Sequence, residues 1–336
     1  MSQPLYSPEE ARGIWVYLEQ SGGQLEGVSL ELLARARELA DESGVELTGV
    51  LVGHDVAPLA DEAISRGADL VLLAEDPVLA QYRSEPYTRV IAGLVRERKP
   101  DILFLGATPD GRDLAGRLAV RLRTGLTADC TDLALEEGTR LLLGEVTGFG
   151  GGILAIIKCE KHRPQMATVR PGVFAAGEPD PSRKGRIERV AVDVPPEDLR
   201  VEVVERVTEV GADITRARVV VAGGRGVRGD FSLLEELARL LGGEVGATRV
   251  AVDEGWVGRD RQIGQTGFVT RPKLAVLCGI SGALQFTVGI EKAETVVAIN
   301  NDREAEVFEH ADYGVADDLF QVLPSLIDEI KRAQST

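Results

Sequence analysis

The chain has 336 residues, with 54 Asp and Glu against 38 Lys and Arg and a formal net charge of −16. That length supports two domains, each able to bury its own core. The acidic balance and an aromatic content of 4% exclude nonspecific nucleic-acid binding, which needs a basic surface and stacking platforms.

In chain order, residues 14–18 (Ile-Trp-Val-Tyr-Leu) form a short apolar strand candidate. Leu30–Asp41 places Leu32, Leu33, Ala36, Leu39 and Ala40 on one helical face, with Arg35, Arg37, Glu38 and Asp41 largely off it. Val45–Val52 reads as a strand, Pro58–Arg66 as a helix and Asp69–Leu73 as a strand. Thr88–Arg98 is a helix that stops at Lys99-Pro100, because proline pushes the residue before it out of the helical region. Asp101–Leu105 is a further strand, and a Gly/Asp-rich turn leads into a helix over about Arg112–Leu122. Alternation of this regularity predicts a doubly wound α/β layer with a mainly parallel sheet.

After Thr127 the alternation stops. Leu141–Leu143, Ile153–Ile157 and Met166–Val169 are short strands without long helices between them, read as a sheet extension that completes the first domain. Gly177–Lys184, with Pro179 and Pro181, is a turn or linker, and Val201–Val210 alternates Val with polar residues as an edge or crossover strand would. The expected domains are therefore residues 1–204 and 205–336, both doubly wound α/β. Asp318–Lys331 closes the second as an amphipathic helix interrupted only by Pro324.

In the second domain, strand-like runs repeatedly end in small, flexible residues. Val219–Ala222 runs into Gly223-Gly224-Arg225-Gly226, Lys273–Cys278 into Gly279-Ile280-Ser281-Gly282, and Thr295–Ile299 into Asn300-Asn301. Between the first two lies Gln262-Ile263-Gly264-Gln265-Thr266-Gly267. Such strand ends let a large ligand approach the backbone, which points to a nucleotide-like cofactor.

Which cofactor is open on these motifs alone. Gly224–Gly229 fits G-x-G-x-x-G after a strand, with Asp230 or Ser232 available to cap a helix over Leu233–Leu241, so an NAD pyrophosphate loop is one reading. Arg225 and Arg228 in the variable places count against it, as does Glu244, the acidic residue at the expected distance, which follows Gly242-Gly243 instead of an apolar strand. The plain alternative is a tight turn. Arg249, in Gly246-Ala247-Thr248-Arg249, is costly to bury without an anionic or electron-rich partner. A flavin ring is such a partner, and a guanidinium beside it favours its reduced, anionic forms; a surface salt bridge is the alternative. Thr266 supplies a hydroxyl able to reach flavin N5. The junction Gly279–Gln285 offers backbone N–H groups that bind phosphate without lysine, or Ser281 simply caps a helix. Asn300 and Asp318 lie where a parallel sheet presents the sugar or adenine end of a dinucleotide.

Other chemistries find no support. Cys130, Cys159 and Cys278 are widely spaced, with no Cys-x-x-Cys pair, which argues against a structural metal or disulfide framework and for a reducing compartment. His54, His162 and His310 form no cluster, and G-x-x-x-x-G-K-[ST], G-x-S-x-G and His-Glu-x-x-His are all absent. Met1–Tyr6 has no basic segment followed by an apolar core, and no apolar stretch approaches membrane-span length. A cytoplasmic protein without membrane insertion is expected.

Taken in order, Gly223-Gly224-Arg225-Gly226, Val245-Gly246-Ala247-Thr248-Arg249, Ala251-Val252-Asp253, Gln262–Gly267, Gly279-Ile280-Ser281-Gly282-Ala283, Ala298-Ile299-Asn300 and Ala311-Asp312-Tyr313-Gly314 through Asp318 resemble the alpha subunit of electron-transfer flavoprotein. Gly106-Ala107-Thr108, Gly111-Arg112-Asp113-Leu114, Thr124–Cys130 and Arg163–Gly172 extend the resemblance across the first domain. It implies a nucleotide-hydrolase-like first domain with subunit contacts and a second domain that binds FAD. It also implies a heterodimer with a beta subunit. Such a heterodimer is a redox carrier, relaying electrons from flavin dehydrogenases, typically the acyl-CoA dehydrogenases of fatty-acid beta-oxidation, to a quinone-linked oxidoreductase. Carried over, Arg249 faces the isoalloxazine, Thr266 hydrogen-bonds near N5, and Gly226, Gln265, Ser281, Gly282 and Gln285 form the cradle, with Asn300 and Asp318 at the adenosine end. Arg225, Thr248, Gln262, Gly264, Gly279 and Phe286 complete the expected FAD-binding set.

Two departures stand out. Many members carry His where this chain has Phe286, so a donor at the flavin O2 edge is lost. Arg163–Gly172 is most similar to the NAD-linked, electron-bifurcating branch, whose beta subunit holds a second FAD. Relatives there place an Arg just before a Gly pair, whereas this chain reads Val146-Thr147-Gly148-Phe149-Gly150.

Overall fold

Consecutive apolar residues form the central strands of both sheets, because a parallel strand covered on two faces has no solvent side with which to alternate. The structure, a computed structural model, describes residues 4–148, 153–204, 214–215 and 217–334. It divides into two compact units, Met1–Val207 and Thr208–Thr336. Each is an α/β body built on a parallel sheet.

The first unit runs β1 (Ile14–Leu18), β2 (Gln20–Ser21), β3 (Gln24–Leu25), α1 (Gly27–Ser43), β4 (Leu47–Gly53), α2 (Leu59–Ser65), β5 (Leu70–Glu75), α3 (Ser84–Arg98), β6 (Ile102–Gly106) and α4 (Pro109–Leu122). It continues with β7 (Leu126–Cys130), β8 (Asp132–Leu135), β9 (Leu142–Gly148), β10 (Ile153–Ile157), β11 (Gln165–Val169) and β12 (Arg186–Arg189). Local chemistry sets the helix ends. Thr108 Oγ1 accepts the Gly111 N–H at 2.9 Å to open α4. Lys99 closes α3 in the left-handed region, immediately before Pro100.

Seven strands form a parallel sheet in the order β12-β5-β4-β1-β6-β11-β7. The short strands after Thr127 therefore do not extend that sheet together. Only β11, buried along its whole length, enters it, between β6 and β7. β8, β9 and β10 form a separate antiparallel sheet. The connection from β7 to β11 is thus made by that antiparallel sheet instead of a helix, which strand periodicity alone does not reveal. Past the irregular Gly177–Lys184 segment, the charged Arg186–Arg189 adds as an exposed edge strand. Residues 201–204 carry no regular structure, and the remainder of Val201–Val210 lies outside the described residues.

The second unit runs β13 (Val219–Gly223), α5 (Ser232–Leu241), β14 (Glu244–Ala247), α6 (Arg249–Asp253), β15 (Leu274–Cys278), α7 (Leu284–Thr287), β16 (Val296–Ile299), β17 (Tyr313–Val315) and α8 (Leu319–Gln334). Its sheet is parallel, ordered β14-β13-β15-β16-β17. Leu234 and Leu237 of α5 pack with Leu323 and Ile327 of α8 on one face. Phe286 of α7, with Ile263 and Ile290, covers the other. Among the described residues, no helix is long and apolar enough to cross a membrane.

Candidate functional site

Numbered by position in the chain, the strands of the second sheet run 2-1-3-4-5, so the order reverses between β13 and β15. Successive connections leave to opposite faces at that point and open a crevice at the strand carboxyl ends, where open α/β sheets bind ligands. Here the two loops meet backbone to backbone. The Gly224 N–H donates to Cys278 O and the Gly226 N–H to Gly279 O, each at 3.0 Å. A Cβ on Gly226 would lie 2.7 Å from Gly279 Cα, so only glycine allows this approach. Above the junction lies a cavity of about 850 Å³, at the upper end of the range for small-molecule sites.

Most of the residues expected from sequence are brought together on its wall. Arg225 and Gly226 come from the turn after β13, Thr248 and Arg249 from the end of β14, and Gln265 and Thr266 from the loop that follows. Gly279 and Ser281 follow β15, Gln285 and Phe286 lie on α7, Asn300 ends β16, and Asp318 precedes α8. Gln262, Gly264 and Gly282 are not on the wall; they hold it from behind. Gln262 is buried and its Nε2 donates to Thr266 Oγ1 at 2.9 Å. The Thr266 hydroxyl proton is thereby left to donate elsewhere. The Gln265 N–H donates to Gln285 O at 2.8 Å, stitching this loop to α7. Gly282, at φ +93, lets the Ser281 loop press against Val307, whose N–H donates to Ser281 O at 3.0 Å.

The individual side chains discriminate between the sequence readings. Thr248 Oγ1 is buried without a hydrogen-bond partner among the described residues, although it stands at the start of α6. Such a group is costly unless a ligand satisfies it. Arg249 does form the surface ion pair, with Asp253 at 3.2 Å, but is 67% exposed. A pair so open to solvent is weak and leaves the guanidinium free to serve an anion. Ser281 does not cap α7; Ala283 stands at that position because Gly282 interrupts the path to the helix. Asn300 is largely committed to the loops: Nδ2 donates to Ile280 O at 2.8 Å and Oδ1 accepts the Asp302 N–H at 3.0 Å. Asp318 Oδ1 accepts the Phe320 N–H at 3.0 Å, opening α8. Phe286 is buried and packs with the apolar side chains under the site.

The NAD fingerprint fails on geometry. Arg225–Val227 forms a single tight turn, and α5 begins only at Ser232, after Asp230 has accepted the Ser232 N–H at 3.0 Å. The helix N-terminus is therefore not at the glycine loop. Glu244 does begin a strand, but at its amino end, where it pairs with Arg261 at 2.9 Å, and the ribose would lie at the carboxyl end. Sequence reasoning missed Arg228, the apolar wall residues Ile263 and Ile280, and the acidic segment Asp302, Glu304 and Glu306. Only Arg228 left a trace, as a charge out of place in the glycine motif.

The wall is thus polarised, with Arg225, Arg228 and Arg249 from the β13 and β14 loops and carboxylates from the segment after β16 and from Asp318. A switch-point crevice with this division defines a dinucleotide-binding α/β protein. Residues 14–195 match the family described as electron transfer flavoprotein domain, and residues 213–291 match the electron transfer flavoprotein FAD-binding domain. The chain is 46% identical to electron transfer flavoprotein subunit alpha of Thermoanaerobacterium thermosaccharolyticum, covering 96% of this chain and 98% of that one. It is 47% identical to the same subunit of Clostridium acetobutylicum, with 96% and 98% covered. It is 38% identical to the acryloyl-CoA reductase electron transfer subunit beta of Anaerotignum propionicum, with 96% and 97% covered. The chain belongs to the electron transfer flavoprotein alpha-subunit family, and its second unit is an FAD-binding domain.

Proposed function

We propose that this chain pairs with an electron transfer flavoprotein beta subunit and, in the cytoplasm, relays electrons from flavin dehydrogenases such as acyl-CoA dehydrogenases to a quinone-linked oxidoreductase. The polarised wall of the switch-point cavity carries the FAD-binding part of this reading, and the likeness to electron transfer flavoprotein alpha subunits supports the partner and the relay. The wall's cations suit a diphosphate and an electron-rich ring, and its carboxylates suit the hydroxyl and amine donors of adenosine. The unpartnered Thr248 hydroxyl and the Gly226–Gly279 approach fit the same ligand, since both need a group close to the backbone.

Bound FAD supplies one- and two-electron redox chemistry at the site. The protein's part is to bind, orient and tune. Arg249 places positive charge that favours electron gain on its neighbour. Thr266, its oxygen already accepting from Gln262, donates its proton toward the ring edge. Gln265, Ser281 and Gln285 hold the cradle, with Asn300 and Asp318 at the adenosine end. Phe286 excludes water without offering a donor, so negative charge on the ring is less favoured here than beside a histidine. Measuring both flavin potentials in the wild type and Phe286→His tests this; unchanged potentials contradict it.

A second reading, NAD-linked electron bifurcation, is favoured by the Arg163–Gly172 stretch and by the likeness to an electron transfer subunit of acryloyl-CoA reductase. Val146-Thr147-Gly148 lacks the arginine that branch carries, and Phe149 and Gly150 lie outside the described residues. Counting nucleotides in the purified heterodimer separates the two: one FAD with one AMP supports the simple relay, and two FAD support bifurcation.

A further inference from the structure

Arg228 is one of the cations of the cavity wall, with no individual task assigned to it so far. It follows the Arg225–Val227 turn at φ +56, a left-handed conformation uncommon for a side-chain-bearing residue. Its guanidinium Cζ lies 5.9 Å from the centroid of the Phe320 ring, within the range of a cation–π contact. Phe320 is in the first turn of α8, and its N–H is the one that Asp318 accepts. The loop after β13 and the start of α8 thus place a guanidinium and a carboxylate on one end of the cavity. Neither Arg228 nor Asp318 forms an ion pair within the described residues, with each other or with another side chain.

Two opposite charges on one wall that do not neutralise each other are available to different parts of one ligand. We propose that Arg228 is a specificity-determining residue that holds the adenylate-side phosphate of the dinucleotide. Phe320 is its seat, and the residue sets the preference for FAD over FMN. The inference rests on the reading of this cavity as the FAD site. Arg249, the isoalloxazine neighbour in that reading, serves FAD and FMN alike. Arg228, held at the Asp318 end, serves only a ligand that reaches that far. The planar guanidinium suits the role, since it lies within cation–π range of the ring and carries several N–H donors for phosphate oxygens.

The test uses the heterodimer stripped of flavin and titrated calorimetrically with FAD, FMN and ADP. Arg228→Gly is the informative variant, because glycine adopts φ +56 freely and the apo-protein should melt no earlier than wild type. The expected result is FAD and ADP binding weakened about tenfold to a hundredfold, as for loss of a charge-assisted hydrogen bond, with FMN unchanged. Arg228→Lys should recover part of the loss, since it restores the charge but not the planar fork. FAD affinity within twofold of wild type in Arg228→Gly, or equal losses for FAD and FMN, would overturn the proposal while leaving the FAD site standing. A wild type that takes up no FAD would overturn the site reading and this inference with it.

Discussion

Replacing Gly226 with alanine puts the backbone approach at the switch point under direct load. The new Cβ would lie 2.7 Å from Gly279 Cα and 3.0 Å from Gly279 O. Carbon atoms sit comfortably at about 3.5–4.0 Å, so the shortfall approaches an ångström. It falls on backbone, which cannot swing aside as a side chain can. Overpacking of this kind costs about 1–3 kcal/mol. The loops can relieve it only by separating, which also stretches the Gly226 N–H to Gly279 O bond and opens the cavity floor. With about 1.4 kcal/mol per tenfold, the expected outcome is FAD binding weakened about tenfold to a hundredfold. Whatever strain the free protein retains should lower the melting temperature of the second unit by about 2–8 °C per kcal/mol. The assay is fluorescence titration of flavin-free heterodimer, paired with calorimetric melting. Gly93→Ala is the control: Gly93 is exposed in the interior of α3, a Cβ there meets nothing within 4 Å, and the change should stabilise. The gain should be about 0.5–1 kcal/mol. If Gly226→Ala binds FAD within twofold of wild type and melts at the same temperature, the argument that glycine is required here is refuted.

Other residues make separate claims. Thr248→Val deletes a buried hydroxyl that has no partner among the described residues, so the apo form should melt no earlier than wild type. The same variant should bind FAD about tenfold more weakly, which calorimetry on the same samples would show. Arg249→Gln should lower the flavin potential measured by spectroelectrochemistry, because positive charge beside the ring is removed; an unchanged or raised potential contradicts its role. In the first unit, burial pushes the Asp69 carboxyl up, but the Leu47 N–H with Arg37 and Arg183 outweighs it and holds the group below its usual range. A depressed carboxylate contributes stability that is present above its unfolded pKa, near about 4, and is lost as pH falls through the lower folded value. Asp69→Asn should therefore be less stable than wild type at pH 7 by urea denaturation, with a gap that narrows in acid; a gap that widens would show the sign to be wrong.

The layers of both units were legible because apolar runs and helical periodicity are local properties. Strand pairing was not. Gln165–Val169 reads like its neighbours Leu142–Gly148 and Ile153–Ile157, yet it enters the main sheet while they form another. Only contacts distant in sequence decide between them. Arg186–Arg189 was hidden for a different reason, since an exposed edge strand needs no apolar face. In the site, the small residues at strand ends announced the cavity, because they occur where backbone meets ligand. What they could not show was which ones face it. Gln262, Gly264 and Gly282 share the motif chemistry of their neighbours but point the loops from behind. Ser281 looked equally able to cap a helix until the left-handed turn at Gly282 separated it from α7. Arg228 gained its meaning only from Phe320, a residue far along the chain that the fold brings beneath it.

The central claim is that this chain holds FAD in the cavity at the carboxyl ends of β13 and β15. The most direct measurement is flavin content and absorption spectrum of the heterodimer purified with its beta subunit, for wild type and for Gly226→Ala with Thr248→Val combined. The expected result is a yellow wild type with FAD released on denaturation, and a folded double variant that has lost the FAD held by this chain. A colourless wild type that cannot be reconstituted with FAD, or a double variant that keeps its full FAD content, would contradict it.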